Sequence, residues 1–156
     1  MSDDRLGELY RAHGADALRL AYVLTGSREA AEDITQDAFV RIGRRIFGLK
    51  DLDHERAYLF RTVINLCRSR GRKLGRERAA LARVDAQGTH PGLELDETWS
   101  RLLALPQRQR AALFFRYYLD QSESSAAEAL DCSTSALKSL VNRGLNALRE
   151  AEGDDR

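Results

Sequence analysis

Arg61, Asn65, Arg68 and Arg72 stand at intervals of four, three and four residues. At about 100° per residue on a helix, those intervals put all four on one side. Guanidinium forks grip phosphate oxygens in pairs, and an amide among them can read a base edge. Between them, Leu59, Phe60, Val63, Ile64, Leu66 and Cys67 form a broad apolar arc on the opposite side. One face belongs in a core and the other suits a nucleic acid. Taken alone, the stripe reads equally well as the solvated basic face of an ordinary helix.

Two more polar rows are legible. Glu32, Asp33, Gln36 and Asp37 lie on the side of a helix whose inner face is Ala31, Ile34, Ala38, Ile42 and Ile46, with Phe39 beside them. Acids in a first turn complement the helix dipole, which accounts for Glu29, Glu32 and Asp33. It accounts poorly for Asp37, well inside the helix. Ser135, Lys138, Ser139, Asn142, Arg143 and Asn146 lie opposite Leu137, Leu140, Val141 and Leu148. Those polar groups are of a kind and length that reach a major groove.

Catalysis finds no such support. No His, Cys and carboxylate set clusters in the sequence, and neither a glycine-rich phosphate loop nor metal-ligand spacing occurs. The expectation is a protein with no enzymatic activity, no cofactor and no metal. Cys67 and Cys132 are far apart and each sits in an apolar pattern, which suits buried free thiols in a reducing compartment. No apolar run approaches membrane-spanning length, and the start, MSDDRLGELYRAHG, is too polar for a signal peptide. A cytoplasmic protein without membrane insertion is expected.

The elements that must carry these rows are helices. Alanine, leucine and arginine abound, strand-like runs of Val, Ile and Thr are absent, and prolines occur only at 91 and 106. Residues 4–25 carry helical apolar spacing with a break or kink expected near Gly14. Thr25-Gly26-Ser27 reads as a stop, a turn and an N-cap. A second helix is expected over 28–46, then a loop, then a helix from an Asp53 cap to about Leu81. Residues 83–93, RVDAQGTHPGL, have linker composition. Beyond them four helices are expected: one on Leu95, Trp99, Leu102 and Leu103; one starting at Pro106; one over 122–130; one capped by Ser133 and running to about Glu150. Charge is uneven: net −4 over residues 1–40, +8 over 41–78 and −3 over 79–156. A basic middle behind an acidic front fits a polyanion and a second, different partner.

The last two helices have helix-turn-helix spacing. Ala127 supplies the small residue where the helices touch, and the turn falls four residues later at Asp131. Such a turn often uses a glycine with positive φ, a conformation Asp is among the few residues to tolerate. A plain antiparallel helical hairpin with a polar surface has the same pattern.

Together the halves resemble an extracytoplasmic-function (group IV) sigma factor of bacterial RNA polymerase, in the sigma-70 family. The resemblance is carried by LYRAHG, LAYVLTGSREAAEDITQDAFVRI and AYLFRTVINLCRSRGRK, then by LLALPQRQRAALFFRYYLDQS and CSTSALKSLVNRGLNALRE. It implies an all-α protein of two small helical domains joined by a flexible linker, the second ending in the helix-turn-helix. Residues 1–81 would be a region 2-like domain, 82–94 the linker and 95–152 a region 4-like domain. Asp33, Gln36 and Asp37 would dock on the β′ clamp helices of core polymerase. Arg61, Asn65, Arg68 and Arg72 would face the −10 element, with the loop from Leu49 to His54 helping to hold a flipped base. Tyr58 and Phe60 would flank that pocket or be core, and the apolar arc favours core for Phe60. Ser135, Lys138, Ser139, Asn142 and Arg143 would read the −35 element as duplex, and the outer surface of the motif would sit on the β flap. Members of this family are commonly held inactive by an anti-sigma factor, so one is expected as a partner.

The sequence departs from that pattern at Gln121, where Leu is common, at Ala126 (Ile), at Asp131 (Gly) and at Leu140 (basic or polar). The first two would thin the core of the second domain, and Leu140 would remove a −35 contact or turn it into packing. Two other functions are open on the residues alone. One is a duplex-binding repressor or activator, against which the acidic docking row argues. The other is a sigma-like decoy or adaptor that binds polymerase or an anti-sigma partner without reading DNA.

Overall fold

The apolar spacing of the first residues does form a helix, and Gly14 does not break it. In the computed structural model, which describes residues 2–45, 52–81 and 97–154, α1 runs uninterrupted over Ser2–Thr25. A Cβ on Gly14 would lie 3.2 Å from the Tyr10 ring. The glycine is there because an aromatic lies over it, and the surrounding helix formers absorb its cost of about 1 kcal/mol. The expected kink is therefore a packing feature.

Thr25-Gly26-Ser27 ends one helix and starts the next. Gly26 has φ +70°, and its N–H donates to Tyr22 O at 2.8 Å. Ser27 Oγ accepts from the Ala30 N–H at 3.2 Å. Helix α2 then spans Arg28–Arg45 and α3 spans Leu52–Leu81. Asp53 falls inside the first turn of α3, one position past the helix start, rather than at the cap. Ile46, the loop to residue 51 and the expected linker at 82–94 lie outside the described residues.

Helices α1, α2 and α3 pack on one another in a three-helix unit. Leu9, Leu20, Ile42, Leu59 and Val63 are fully enclosed, with Ala31, Ile34 and Ala38 completing the α2 stripe. Two buried threonines return their hydroxyls to their own helices: Thr35 to Ala31 O and Thr62 to Tyr58 O, each at 2.7 Å. Glu55 has no exposure and is ion-paired to Arg5 across α1 and α3. Its place in the first turn of α3 suits a carboxylate beside the positive helix end.

The second unit is α4 (Glu97–Ala104), α5 (Gln107–Leu113), α6 (Glu123–Ala129) and α7 (Thr134–Asp154). Pro106 precedes α5, where a missing N–H costs little. Unforeseen in the sequence, α5 continues as one π-helical turn, Phe114–Tyr118. Leu119 N donates to Phe114 O at 3.0 Å, five residues back. The wide turn lets neighbours Phe114 and Phe115 both go inside. Among the described residues every regular element is helical.

The turn between α6 and α7 closes both ends of its loop. Asp131 N donates to Glu128 O at 3.1 Å and Cys132 N to Ala127 O at 3.0 Å, the pair of bonds that ends a helix in a Schellman motif. Asp131 occupies the left-handed position, φ +54°. Ser122 and Ser133 cap α6 and α7, accepting from Ser125 N and Ala136 N at 3.1 Å.

The two units are not separate. Phe60 of α3 meets Phe115 edge-on, ring centroids 5.4 Å apart, and one apolar core runs through both.

Candidate nucleic-acid interface

The arginine ladder on α3 exists, but its start is engaged. Arg61 is half-buried, and its Nη2 donates to the Glu128 carbonyl at 2.8 Å. Asn65 is exposed and Arg68 half-buried. Both line a polar cleft of about 250 Å³ with Arg108, Leu130 and Asp131. Arg108 donates to Leu130 O at 2.9 Å. Three guanidiniums, from Arg61, Arg68 and Arg108, thus gather where α6 ends. The last carbonyls of a helix carry partial negative charge, which suits that gathering. Arg108 escaped sequence reasoning; its only signal was the basic run PQRQR at the start of α5. The Arg72 side chain and the expected loop up to residue 51 lie outside what the structure describes, while Leu52, Asp53 and His54 belong to the first turn of α3.

Phe60 belongs to the core at 3% exposure, and Tyr58 packs against it. Cys67 is enclosed below them, and burial pushes its thiol up to about 12, with Arg110 and Arg70 pulling the other way. That thiol is not a nucleophile. Arg110, itself drawn below its ordinary value by burial, donates to Val23 O at 2.9 Å.

Asp33, Gln36 and Asp37 are exposed on the outer side of α2. Asp33 faces Arg70 of α3 at 3.7 Å and Asp37 faces Arg41 at 3.8 Å. Both pairs are long and wet, so they hold the carboxylates weakly. Val40, 53% exposed, extends the row by one turn. Sequence reasoning omitted it; its signal is an apolar residue one position off the buried stripe.

On α7, Ser135, Lys138, Asn142 and Arg143 are exposed and Ser139 half-buried. Leu137 is fully buried, and Leu140 and Val141 pack on the core. Leu140 is therefore a packing residue. Gln121 also finds a use: its side chain accepts from Arg56 of α3 at 3.2 Å. Among the described residues no group of His, Cys, Asp or Glu could hold a metal ion, and no helix is long and apolar enough to cross a membrane.

Comparison with known proteins puts both halves in one class. Residues 9–77 match Sigma-70 region 2, and residues 95–148 match Sigma-70, region 4. The ECF RNA polymerase sigma factor EcfG of Rhodopseudomonas palustris is 33% identical over 85% of this chain and 78% of its own length. The ECF RNA polymerase sigma factor SigE of Mycolicibacterium smegmatis is 29% identical over 92% of this chain. The chain spans 60% of that relative's length. The structure superposes on that of the sigma factor RpoE in complex with the anti-sigma factor NepR from Bartonella quintana. The TM-score is 0.75 at 25% identity, over 99% of this chain and 98% of the other. The chain belongs to the extracytoplasmic-function sigma factors of the sigma-70 family.

Proposed function

We propose that this protein is a promoter-specificity subunit of RNA polymerase with no catalysis of its own, working in the cytoplasm. The carrying observation is that the two sigma-70 regions, in order, coincide with the polar rows on α2, α3 and α7. In this reading residues 1–81 and 95–152 are the two functional domains, joined by 82–94. Asp33, Gln36 and Asp37 dock on the β′ clamp helices. An unpaired −10 strand is captured on Arg61, Asn65, Arg68 and Arg72. Ser135, Lys138, Ser139, Asn142 and Arg143 read the −35 duplex, with the outer surface of the motif on the β flap. Melting is driven by binding: unstacking a base costs a few kcal/mol, which stacking and phosphate contacts offset.

An anti-sigma factor is the other partner we infer. The solved relative RpoE of Bartonella quintana is a sigma factor in complex with such a protein. A groove of about 790 Å³ between the two units supports the inference. Its wall is apolar, from Leu18, Val23, Leu102, Phe114 and Leu148, and the exposed Tyr117 and Tyr118 stand at its mouth.

Of the departures behind the decoy reading, Asp131 fits its turn and Gln121 is engaged by Arg56, while Leu140 packs and so offers no −35 contact, which keeps the decoy as the second reading. The test is transcription in vitro from genomic fragments with core polymerase and the purified chain. Chain-dependent start sites are expected. Binding to core with no start site on any fragment would leave the decoy reading in place.

A further inference from the structure

Several arginines of this chain have a carboxylate beside them: Arg5, Arg19, Arg28, Arg41 and Arg70 are each ion-paired. The three that gather at the end of α6 differ. Among the described residues, Arg61, Arg68 and Arg108 form no ion pair. Main-chain carbonyls are the partners of two of them: Arg61 donates to Glu128 O at 2.8 Å and Arg108 to Leu130 O at 2.9 Å. Each bond uses one of a guanidinium's five N–H groups. The Nε–H of Arg61 is buried and has no hydrogen-bond partner among the described residues.

The helix end does not balance this cluster. It carries about half a negative charge, against three full positive ones. The cleft of about 250 Å³ beside it takes Asn65 and Arg68 from α3, Arg108 from α5, and Leu130 and Asp131 from the turn after α6. Asp131 is exposed and is ion-paired with none of the three arginines. A small polar cleft with unspent guanidinium donors and an excess of positive charge is suited to an anion.

We propose that this cleft binds a small phosphoanion, a free terminal phosphate or diphosphate. Arg68 and Arg108 grip it, the Asn65 amide donates a further hydrogen bond, and Arg61 adds its charge from beside the cleft. Guanidinium forks match phosphate oxygens in pairs. Charge selects a free group over a strand phosphate: a terminal phosphate carries about −1.5 to −2 at pH 7, and a phosphodiester a single charge. Asp131 opposes any anion, so the occupant must be charged strongly enough to outweigh it. Asn65 and Arg68 also belong to the row proposed for the −10 strand, and on that reading a bound phosphoanion competes with promoter DNA for them. Arg108 lies outside that row, which makes it the residue to test.

Isothermal titration of the whole chain with sodium pyrophosphate, at about pH 7 and constant low ionic strength, tests this. Saturable binding of one pyrophosphate per chain is expected, with Kd below about 1 mM. R108Q and R68Q should each weaken it at least about tenfold, and R108K less than R108Q. D131N keeps a residue type that tolerates positive φ and removes the opposing charge, so it should tighten binding about two- to fivefold. A damaged fold cannot imitate that gain, and thermal melting checks each variant. Sodium sulfate binding as tightly, heats that follow ionic strength alone, or an affinity unchanged in R108Q would overturn the proposal. A short oligothymidylate without a terminal phosphate separates the two sources of phosphate. If it binds as tightly as pyrophosphate, with the same loss in R108Q, the cleft takes strand phosphates and the free-anion proposal fails. No polymerase or promoter enters these measurements, so their failure and the failure of the promoter reading are told apart.

Discussion

Arg61 and Glu128 are joined by a 2.8 Å hydrogen bond from guanidinium to main-chain carbonyl. The donor heads the row proposed to meet a melted strand; the acceptor is in the last turn of α6, the first helix of the helix-turn-helix. A helix-end carbonyl offers about half a unit of negative charge, spread over several groups. A phosphate offers a full charge and a bidentate match to the guanidinium. If Arg61 meets the strand as proposed, the phosphate is the better acceptor and replaces the carbonyl. On this reading Arg61→Ala should reduce open-complex formation and leave core binding intact, as measured by permanganate footprinting beside a core pull-down. Loss of core binding instead would mean that the face serves protein contacts.

Phe115 is the ring on which both units close. It is 1% exposed and lies edge-on to Phe60 and, at 6.4 Å, to Phe114. Phe115→Ala should cost about 3–5 kcal/mol in urea denaturation, and Phe115→Leu under about 1.5 kcal/mol. An Ala variant within 1 kcal/mol of wild type, about the scatter of surface substitutions, would show that the ring is not core.

Asp131 holds φ +54° at the end of α6. A side chain there strains the backbone, less for Asp than for most. Asp131→Gly should stabilise by a few tenths to about 1 kcal/mol, and Asp131→Val should destabilise by about 1–2 kcal/mol. Thermal melting reads both, and equal melting temperatures for Gly and Val would contradict the left-handed geometry.

Much of this architecture was legible because it rests on local rules. Ala31, Ile34, Ala38 and Ile42 announce a buried stripe by spacing alone, and Thr25-Gly26-Ser27 announces a turn by its chemistry. What escaped is set by contacts that apolar spacing does not announce. Gly14 reads as a helix breaker until the Tyr10 ring is placed on it. Gln121 reads as a thinned core until Arg56, 65 residues away, finds it. The π turn is invisible because FFRYY has the composition of any aromatic helix. The engagement of Arg61 depends on how two units meet, and periodicity carries no information about that.

Cys67 should report on the closed core through pH. Its thiol sits at about 12 rather than the ordinary 9.0, chiefly through burial. Below pH 9 the thiol is protonated folded or unfolded and costs nothing. As pH rises from about 9 to about 12 the unfolded chain sheds this proton and the folded chain keeps it, so stability falls over that window. Urea midpoints at pH 8 and pH 10.5 should therefore drop further for wild type than for Cys67→Ala. At pH 8 a thiol reagent should label the partly exposed Cys132 first and leave Cys67 unmodified until the chain unfolds. Equal labelling of both would place Cys67 outside the core.

Lys138 and Glu123 form an exposed pair, 3.5 Å apart, between α7 and the first turn of α6. Among the five α7 residues proposed to read the −35 element, Lys138 is the one a neighbouring carboxylate holds. Such a surface pair is worth under about 1 kcal/mol, so DNA can break it, but the carboxylate also repels the approaching phosphate. Glu123→Gln removes both effects and should raise affinity for a promoter duplex about two- to fivefold at low salt, the gain fading as salt screens the charge. Its cost is the loss of an acid at a helix start, about 0.3–1 kcal/mol of stability, which melting will show separately. Lys138→Ala should lower affinity and reduce the salt slope by about one if the contact is to phosphate. Fluorescence anisotropy with a duplex recovered by selection from genomic DNA measures both. If Glu123→Gln leaves affinity unchanged and Lys138→Ala leaves the slope unchanged, Lys138 does not touch DNA, and the reading face shifts to Asn142 and Arg143.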